Sequence, residues 1–387
     1  MNEDLVLPDS DLSPELREFA LQVRDFAHAK LAPHARRIDE ERTFRAESVA
    51  ELANEGMLGG TLSPDVGGSG WSPLQRVVAH EEIGAVCGNT RGFLAVHTGL
   101  VASTIERYGN AEQRERWLGP MCRGDSIGCF GLTEPDAGSD VASLACHAEP
   151  TDDGYRLTGQ KIWITNGGIA DVILLFATLD PSKGKDGISA FLVESHRNGI
   201  RRTRMPGVDL GHRGSDHARI KFDNVEIPGD ALVGSPGQGF EIAMAGLHAG
   251  RLSVAAGAVG IHRAALACSI AFANKREQFG RPIAKFQMVQ ERLADMTVEL
   301  IASRQIVHRC ARRRMEGIET AGDLAAAKLY STEAAARAAD QAVMLHGGRG
   351  YSSEFPAERL LRDIMGLRIY EGTTMIQKAI LGRAVLG

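Results

Sequence analysis

Apolar residues near the start of the chain recur at spacings of three and four. Such spacing places side chains on one face of a helix and predicts that this face is buried. The residues that carry the pattern are Leu16, Phe19, Ala20, Val23 and Phe26. Residues 63–70 then hold one proline and three glycines, which predict a loop. A helical pattern resumes from about Leu74 to Met121, so the first third of the chain is predicted to be helical.

A different pattern begins near Ile127. Residues 172–179 and 188–193 are apolar runs of strand length, and residues 218–223 alternate between apolar and polar side chains. Alternation with a period of two is typical of a half-buried strand. Asp153 and Gly154 predict a hairpin turn before a further strand. We therefore expect a small β domain in the middle of the chain.

Helical spacing returns after Gly239. One apolar stripe consists of Phe286, Val289, Leu293, Met296 and Leu300. A second consists of Ala325, Leu329, Thr332, Ala336, Ala339 and Val343. The small side chains of the second stripe permit close helix packing, and Gly347 with Gly348 predicts its end.

The order helical, β, helical predicts an α+β fold. A chain of 387 residues is also too long for one compact core. We expect an N-terminal helical domain at residues 1–125, a middle β domain at 126–235 and a C-terminal helical bundle at 236–387.

Composition and charge exclude several partners. The formal net charge of −5 gives no electrostatic reason to expect nucleic acid or an anionic membrane. No stretch of 18 to 20 consecutive apolar residues predicts a membrane span, and the acidic start lacks the features of a signal peptide. Six scattered cysteines without Cys-x-x-Cys spacing argue against a zinc ribbon or a disulfide scaffold. Reduced thiols predict a cytoplasmic location.

Several common catalytic motifs are absent. The sequence has no Gly-x-Gly-x-x-Gly, no P-loop, no His-Glu-x-x-His and no Gly-x-Ser-x-Gly. A classical dinucleotide-binding enzyme, a zinc hydrolase and a serine hydrolase are therefore poor interpretations. The twelve histidines are dispersed, and we expect no metal site.

Four segments carry candidate chemistry. Residues 131–140 combine hydroxyls, carboxylates and two glycines, which suits a loop that wraps a polar ligand. Residues 161–167 place an aromatic and a hydroxyl beside a glycine turn. Residues 276–281, with Gln287, combine a cation with an aromatic, and residues 369–374 read Ile-Tyr-Glu-Gly-Thr-Thr.

Each segment taken alone has an ordinary structural explanation. The first is compatible with a turn-rich connection, since Asp, Ser, Gly and Pro gather in turns. Trp163 and Phe279 are compatible with packing, and Arg276 with a helix surface. Glu371 is compatible with a surface carboxylate at the start of a helix.

Together, in this order and on this helical–β–helical plan, the four segments resemble the acyl-CoA dehydrogenase family of flavoproteins. The resemblance covers nearly the whole chain and implies FAD bound between the β domain and the C-terminal bundle. It also implies a homotetramer in which a neighbouring subunit completes each FAD site. Thr133 would then hydrogen-bond the flavin ring, and Trp163 with Thr165 would close its other side.

The resemblance implies a larger set of FAD contacts. They are Phe130, Gly131, Leu132, Thr133, Gly138, Ser139, Trp163, Ile164, Thr165, Arg276, Gln278, Phe279, Phe286, Gln287, Met344, Gly347, Gly348, Thr373 and Thr374. Met344 departs from the glutamine that many relatives have at this position.

The resemblance also implies the reaction, which is α,β-dehydrogenation of a saturated acyl thioester. Glu371 matches the family's catalytic glutamate, and burial would raise its pKa toward neutrality. A minority of relatives carry the base at the position of Gly250, where glycine cannot act. Electron-transferring flavoprotein is the implied electron acceptor.

Substrate contacts are implied at Arg91, Ser139, His248, Arg251 and Gly372. Many relatives have aspartate at the position of His248. Arg91 matches an arginine that binds the substrate carboxylate in glutaryl-CoA dehydrogenases, but the glutamate that accompanies it there is Gly84 here. We expect a short or polar acyl-CoA. The alternatives are a decarboxylating glutaryl-CoA type, a dehydrogenase of acyl-carrier-protein thioesters, a flavin monooxygenase of this fold, and a scaffold without activity.

Overall fold

The computed structural model describes Val6 and residues 9–387. Before the first strand the described chain is helical, as predicted: α1 (Pro14–Phe26), α2 (Ala32–Glu41), α3 (Glu47–Asn54), α4 (Pro73–Val86), α5 (Gly88–Leu94), α6 (Ser103–Tyr108) and α7 (Ala111–Arg123). The Ser13 hydroxyl caps α1, and Ser72 with Gln75 forms a capping box at α4. A π-helical segment, Ala95–Ala102, joins α5 to α6.

The middle of the chain forms one sheet. Its strands are β1 (Gly128–Gly131), β2 (His147–Thr151), β3 (Gly154–Thr165), β4 (Val172–Thr178), β5 (Ile188–Glu194), β6 (Ile200–Arg204), β7 (His217–Pro228) and β8 (Leu232–Val233). They lie in the order β6-β7-β3-β2-β4-β5-β8, and β1 pairs with β4 in parallel. The turn from β2 to β3 is Asp152–Asp153, one residue before the predicted Asp153–Gly154.

The two strand patterns seen in the sequence have different causes. β4 is buried at every position, because Leu174 and Phe176 pack into one hydrophobic core and Ile173 and Leu175 into another. In β7 the buried and exposed residues alternate from Ala218 to Asp223, as predicted, and the alternation is interrupted at Asn224. One face of β7 therefore meets solvent, whereas β4 is covered on both faces.

The rest of the chain is again helical, as predicted. The long helices are α8 (Gly239–Lys275), α9 (Gln287–Met315) and α10 (Ala321–His346), followed by α11 (Ala357–Ile369) and α12 (Thr374–Leu386). A short hairpin of β9 (Glu277–Gln278) and β10 (Arg281–Pro282) separates α8 from α9. The predicted domain limits at residues 125 and 235 lie in the links between α7 and β1 and between β8 and α8, and they stay a prediction.

Helix α8 is long and apolar, although the sequence predicts no membrane span. It contains a window of 18 residues with a mean hydropathy of 1.5, which is long and apolar enough to cross a bilayer. However, 67% of that window is buried inside the protein, as expected of a core helix. Helix α8 packs against α4 so closely that a Cβ on Gly84 would lie 3.0 Å from the Cα of Gly257.

Candidate active site

A cavity lies where the N-terminal helices, the sheet and the C-terminal helices meet, and its space of about 730 Å³ includes the part that is open to solvent. Its walls include Phe130 in β1, Leu132 and Thr133 after β1, and Trp163, Ile164 and Thr165 at the end of β3. Further wall residues come from α5 and the π-helical segment: Arg91, Gly92, Ala95, Val96 and Leu100. Leu247, Tyr370 and Glu371 complete the wall from the C-terminal region. Predicted residues from three distant segments therefore line one space.

The loop after β1 is held by a buried ion pair. Lys161 is fully buried, and its Nζ donates to Glu134 at 2.6 Å and to the carbonyl oxygen of Leu132 at 3.0 Å. The Glu134 carboxylate also accepts from the backbone N–H groups of Ala145 and Cys146. These contacts fix both ends of the loop, so Thr133 is presented to the cavity on a rigid support.

Within the same loop, the structure places Gly131 away from the cavity and Gly138 in the open. A Cβ on Gly131 would lie 3.2 Å from the side chain of Ile173, inside the sheet. A Cβ on Gly138 would meet no atom within 4 Å, and Ser139 is exposed beside it. The open backbone at Gly138 leaves room for a ligand to approach closely.

Trp163 lies in an irregular part of β3. The pairing of β3 with β7 shifts register between Lys161 and Ile164, and Trp163 has a φ of 57°. A bulge of this kind turns a side chain away from its regular direction. The indole is 52% exposed, which is unusual for a tryptophan inside a strand.

Glu371 is the acidic group of the cavity. It lies in the link between α11 and α12 with a φ of 55°, and its Oε2 is buried without a hydrogen-bond partner. Burial raises the pKa of Glu371 to about 7, although the cations Lys328, Arg91, Arg76 and Arg251 act to lower it. The carboxylate is therefore a base whose pKa suits proton transfer near neutrality.

Three donors hold the backbone around Glu371. Lys328 Nζ donates to the carbonyl oxygen of Tyr370 at 2.7 Å and also to that of Gly372. Gln377 donates to the carbonyl oxygens of Glu371 and Gly372, and Arg251 Nε donates to that of Glu371 at 3.3 Å. Arg251, a predicted substrate contact, thus supports the backbone of the base, and Gly372 has a φ of 91°.

Arg91 is a buried arginine in the cavity wall. It is 2% exposed and donates to the Tyr370 hydroxyl, and its Cζ lies 5.8 Å from the centre of the Tyr370 ring. Burial raises the pKa of Tyr370 to about 12, so the phenol is neutral. Among the described residues, no carboxylate lies within 4.0 Å of Arg91, and its charge is left without an ionic partner.

The remaining predicted substrate contact is His248. Its side chain is half-buried, and burial lowers its pKa. Its carbonyl oxygen accepts from Arg314 Nη2 at 3.2 Å. This bond ties α8 near the cavity to the end of α9.

A second group of predicted cofactor residues lies elsewhere in the chain. Gln278, Phe279, Phe286, Gln287 and Met344 line an open cleft of about 1420 Å³. Phe279 is 94% exposed, and Met344 is 61% exposed. Arg276 is also exposed. Gly347 and Gly348 follow the end of α10, and a Cβ on either glycine would meet no atom within 4 Å. One chain therefore does not bring all predicted cofactor residues together.

Thr373 and Thr374 begin α12. The Thr373 hydroxyl oxygen accepts from the N–H of Ile376, and the Thr374 hydroxyl donates to Glu333 at 2.6 Å. Both side chains thus have a structural contact at the helix start. Their predicted role toward a cofactor stays a prediction.

Backbone strain marks several of the predicted residues. Among the described residues, seven other than glycine have a positive φ, and Trp163, Phe279 and Glu371 are three of them. His212, which lines the cavity, is a fourth. Such conformations persist where the surrounding structure holds them, and they cluster at functional sites.

Other functional residues were missed in the sequence. Lys328 and Gln377 support Glu371, Lys161 anchors the loop, and Arg76 lies near the base. Lys328 was detectable, because it is a charged residue among alanines on a helix predicted to be buried. The others follow no spacing rule.

The residues present fit a flavin. Phe130, Leu132, Trp163 and Ile164 supply flat and apolar walls, Thr133 and Thr165 supply hydroxyls, and Gly138 leaves backbone open to a phosphate. Glu371 lines the same space, and its Oε2 is buried without a hydrogen-bond partner among the described residues. The cavity therefore suits a planar cofactor beside an acyl substrate.

Comparison with known proteins shows which family the chain matches along most of its length. Three family models match it: the acyl-CoA dehydrogenase N-terminal domain at residues 13–125, the middle domain at 129–225 and the C-terminal domain at 237–386.

Relatives in sequence and structure agree with these models. The chain is 38% identical to the short-chain acyl-CoA dehydrogenase of Clostridium acetobutylicum, over 96% of this chain and 98% of that protein. Its fold matches butyryl-CoA dehydrogenase from Megasphaera elsdenii with a TM-score of 0.94 and 37% identity, over 97% and 99% of the two chains. It also matches a glutaryl-CoA dehydrogenase in complex with glutaryl-CoA, with a TM-score of 0.94 and 34% identity, over 97% and 96%.

Proposed function

The chain belongs to the acyl-CoA dehydrogenase family of FAD-dependent oxidoreductases, and we propose that it converts a short or polar acyl-CoA to the 2-enoyl-CoA with Glu371 as the base. The observation that carries this proposal is the buried Glu371 carboxylate, unpartnered at Oε2, in the cavity lined by Thr133 and Trp163. Relatives with short-chain and butyryl-CoA activity support the substrate class.

The chain's own residues divide the work of proton transfer. Glu371 takes the α-proton, and its burial keeps the carboxylate basic enough to do so near neutral pH. The N–H of Glu371 donates to the thioester carbonyl and stabilises negative charge as the α-carbon loses its proton. Lys328, Gln377 and Arg251 hold the peptide units on either side of Glu371. The carboxylate and the N–H of Glu371 therefore keep a fixed orientation. FAD, when bound, accepts the β-hydride.

A glutaryl-CoA type is the alternative substrate assignment. Arg91, buried without an ionic partner, favours an acyl group with a distal carboxylate. The glutaryl-CoA dehydrogenase structure with 34% identity is consistent with it. Gly84 argues against the decarboxylating reaction, because it replaces the glutamate of that branch.

We propose electron-transferring flavoprotein as the electron acceptor and a homotetramer as the assembly. The exposed cleft at Phe279 and Met344 supports the second proposal, since predicted cofactor residues lie there far from the cavity of Glu371. A thioester of an acyl-carrier protein is the alternative to a CoA thioester.

Anaerobic bleaching of the flavin tests the proposal. The purified holoenzyme is mixed with butyryl-, isobutyryl-, isovaleryl-, octanoyl- and glutaryl-CoA, and loss of flavin absorbance is followed. We expect bleaching by a short or polar member and a loss of at least ~10² in rate for Glu371→Gln. Glu316→Gln, at an exposed carboxylate, is the control. Normal bleaching by Glu371→Gln would reject Glu371 as the base.

A further inference from the structure

Arg76 on α4 is a buried arginine that has no hydrogen-bond or ionic partner among the described residues. The residue is 8% exposed, and its Nη2 is buried with no hydrogen bond. Among the described residues, no carboxylate lies within 4.0 Å of its guanidinium. Burial of a guanidinium in this way is costly, since the charge is removed from water without compensation. It is expected where a ligand supplies the missing anion.

The guanidinium of Arg76 lies against the π-helical segment, which forms part of the cavity wall. A Cβ on Gly99 would overlap Nη2 and lie 3.4 Å from Cζ. Gly99 belongs to the π-helical segment, in which Val96 and Leu100 on either side line the cavity of Glu371. Because Gly99 has no side chain, the Arg76 guanidinium packs directly against the backbone of this wall segment.

The charges around Arg76 do not neutralise it. Burial lowers its pKa to about 10, with Arg314 acting in the same direction and Glu371 and Glu319 acting against it. Glu319 is already paired with Arg314. An Arg76 with a pKa near 10 still carries its charge at neutral pH.

His80, on the next turn of α4, supplies no negative charge to Arg76. His80 is 3% exposed, its Nδ1 has no partner, and burial lowers its pKa well below the usual value, so the ring is neutral. Arg91, the other arginine acting on His80, also lacks an ionic partner. Glu371 is then the carboxylate that faces Arg76, Arg91, Arg251 and Lys328 together. This end of the cavity carries an excess of positive charge.

We propose that Arg76 binds an anionic group at the far end of the acyl chain, so that the preferred substrates are thioesters of dicarboxylic acids. The inference rests on the proposed function and assigns its substrate class. A carboxylate fits because a guanidinium offers it two parallel donors. Arg91 lines the cavity wall and Arg76 lies behind Gly99, so the two arginines act at different places along the acyl chain.

Matched pairs of substrates test the proposal. Adipyl-CoA is compared with hexanoyl-CoA, and pimelyl-CoA with heptanoyl-CoA, on the holoenzyme and on Arg76→Gln. We expect the wild type to favour the carboxylate-ended member at least 10-fold in kcat/KM. In Arg76→Gln we expect the ratio between the two members to fall to near one. The ratio is compared within each enzyme, because loss of Arg76 also removes a charge that lowers the pKa of Glu371. Arg37→Gln, at an exposed arginine, is the control.

Three outcomes would overturn the proposal: a wild type that prefers methyl-ended chains, an unchanged preference in Arg76→Gln, or a preference that only Arg91→Gln removes. Absence of bleaching by every acyl-CoA would instead reject the proposed function. Binding of adipyl-CoA and hexanoyl-CoA to Glu371→Gln, followed by the flavin spectrum, repeats the comparison without turnover. There we expect Arg76→Gln to weaken only adipyl-CoA, at least 10-fold.

Thermal unfolding separates ligand binding from a structural role. Because Arg76 has no partner, Arg76→Met is expected to leave the melting temperature of the substrate-free holoenzyme unchanged or higher. A lower melting temperature would indicate that Arg76 supports the fold and would contradict the proposal.

Discussion

The carboxylate of Glu371 lies directly against Gly250, so that a Cβ on Gly250 would overlap both carboxylate oxygens. A glycine at this position therefore leaves the space that the Glu371 carboxylate occupies. We expect Gly250→Ala to displace the carboxylate and to lower the rate of flavin bleaching about 10²-fold, as misplacement of a catalytic group by about 1 Å does. A stopped-flow measurement of the rate of flavin bleaching checks this expectation. Gly382→Ala is the control, because a Cβ there meets no atom within 4 Å. Wild-type rates in Gly250→Ala would contradict the expectation.

The pH dependence of the reaction follows from the buried base. Burial raises the pKa of Glu371 to about 7, and only the deprotonated carboxylate takes a proton. We therefore expect kcat/KM to rise about tenfold per pH unit up to about pH 7 and to level off above it. Steady-state rates between pH 5 and 9 test this. A break near the ordinary glutamate value of about 4.3 would contradict it.

Lys328 supplies the ammonium group that lowers the pKa of Glu371 and holds the carbonyl oxygens of Tyr370 and Gly372. Removal of this charge makes the carboxylate form less favourable. Lys328→Met is therefore expected to move the acid limb of kcat/KM to higher pH and to lower kcat, whereas a purely structural lysine would leave the limb in place. Lys185→Met, at an exposed lysine outside both the cavity and the cleft of Phe279, is the control for the same profile.

The exposed cleft predicts an assembly. Phe279 is 94% exposed and Met288 is 72% exposed, which is expensive for apolar side chains unless another subunit covers them. We expect the holoenzyme to have a mass of about 166 kDa, four times 41.6 kDa. Phe279→Asp is expected to reduce both the mass, measured by light scattering, and the FAD content, whereas Asp153→Asn at an exposed turn leaves both unchanged. A monomeric wild type with full FAD content would contradict this.

Much of the fold was predictable, because burial imposes a period on the sequence. Leu16, Ala20 and Val23 lie on the buried face of α1 as their spacing predicts, and Ala218 and Ile220 lie on the buried face of β7. These positions depend on local geometry alone. The family resemblance then related segments that are far apart in the chain.

The electrostatics of the site were less predictable, because they depend on contacts between distant residues. Arg76 and Glu371 are 295 positions apart, and no spacing along α4 indicates that the charge of Arg76 acts on Glu371. Lys161 and Glu134 pair through the fold of a loop onto a strand. Glu371 was found by resemblance, but the cations around it required the structure.

Glu82 on α4 joins the N-terminal helices to the C-terminal bundle. Its buried carboxylate accepts from Arg24 of α1 and, at 2.6 and 2.7 Å, from Arg263 of α8. Loss of one partner of a buried pair leaves the other charge uncompensated. We therefore expect Glu82→Ala to lower the free energy of unfolding by about 3–5 kcal/mol. Glu40→Ala, which removes an exposed pair with Arg36, should change it by less than about 0.5 kcal/mol.

We expect acid to reduce the difference in the free energy of unfolding between the wild type and Glu82→Ala. Burial acts to raise the pKa of Glu82, but Arg263 and Arg24 outweigh it, so that the folded-state pKa lies below the ordinary value. A lowered pKa contributes stability above the unfolded-state pKa of about 4.3, and this contribution is lost as the pH falls through the lower, folded-state value. Denaturant unfolding at pH 7 and in steps below pH 4 measures the difference. A difference that stays constant with pH would show that Glu82 acts by packing and not by charge.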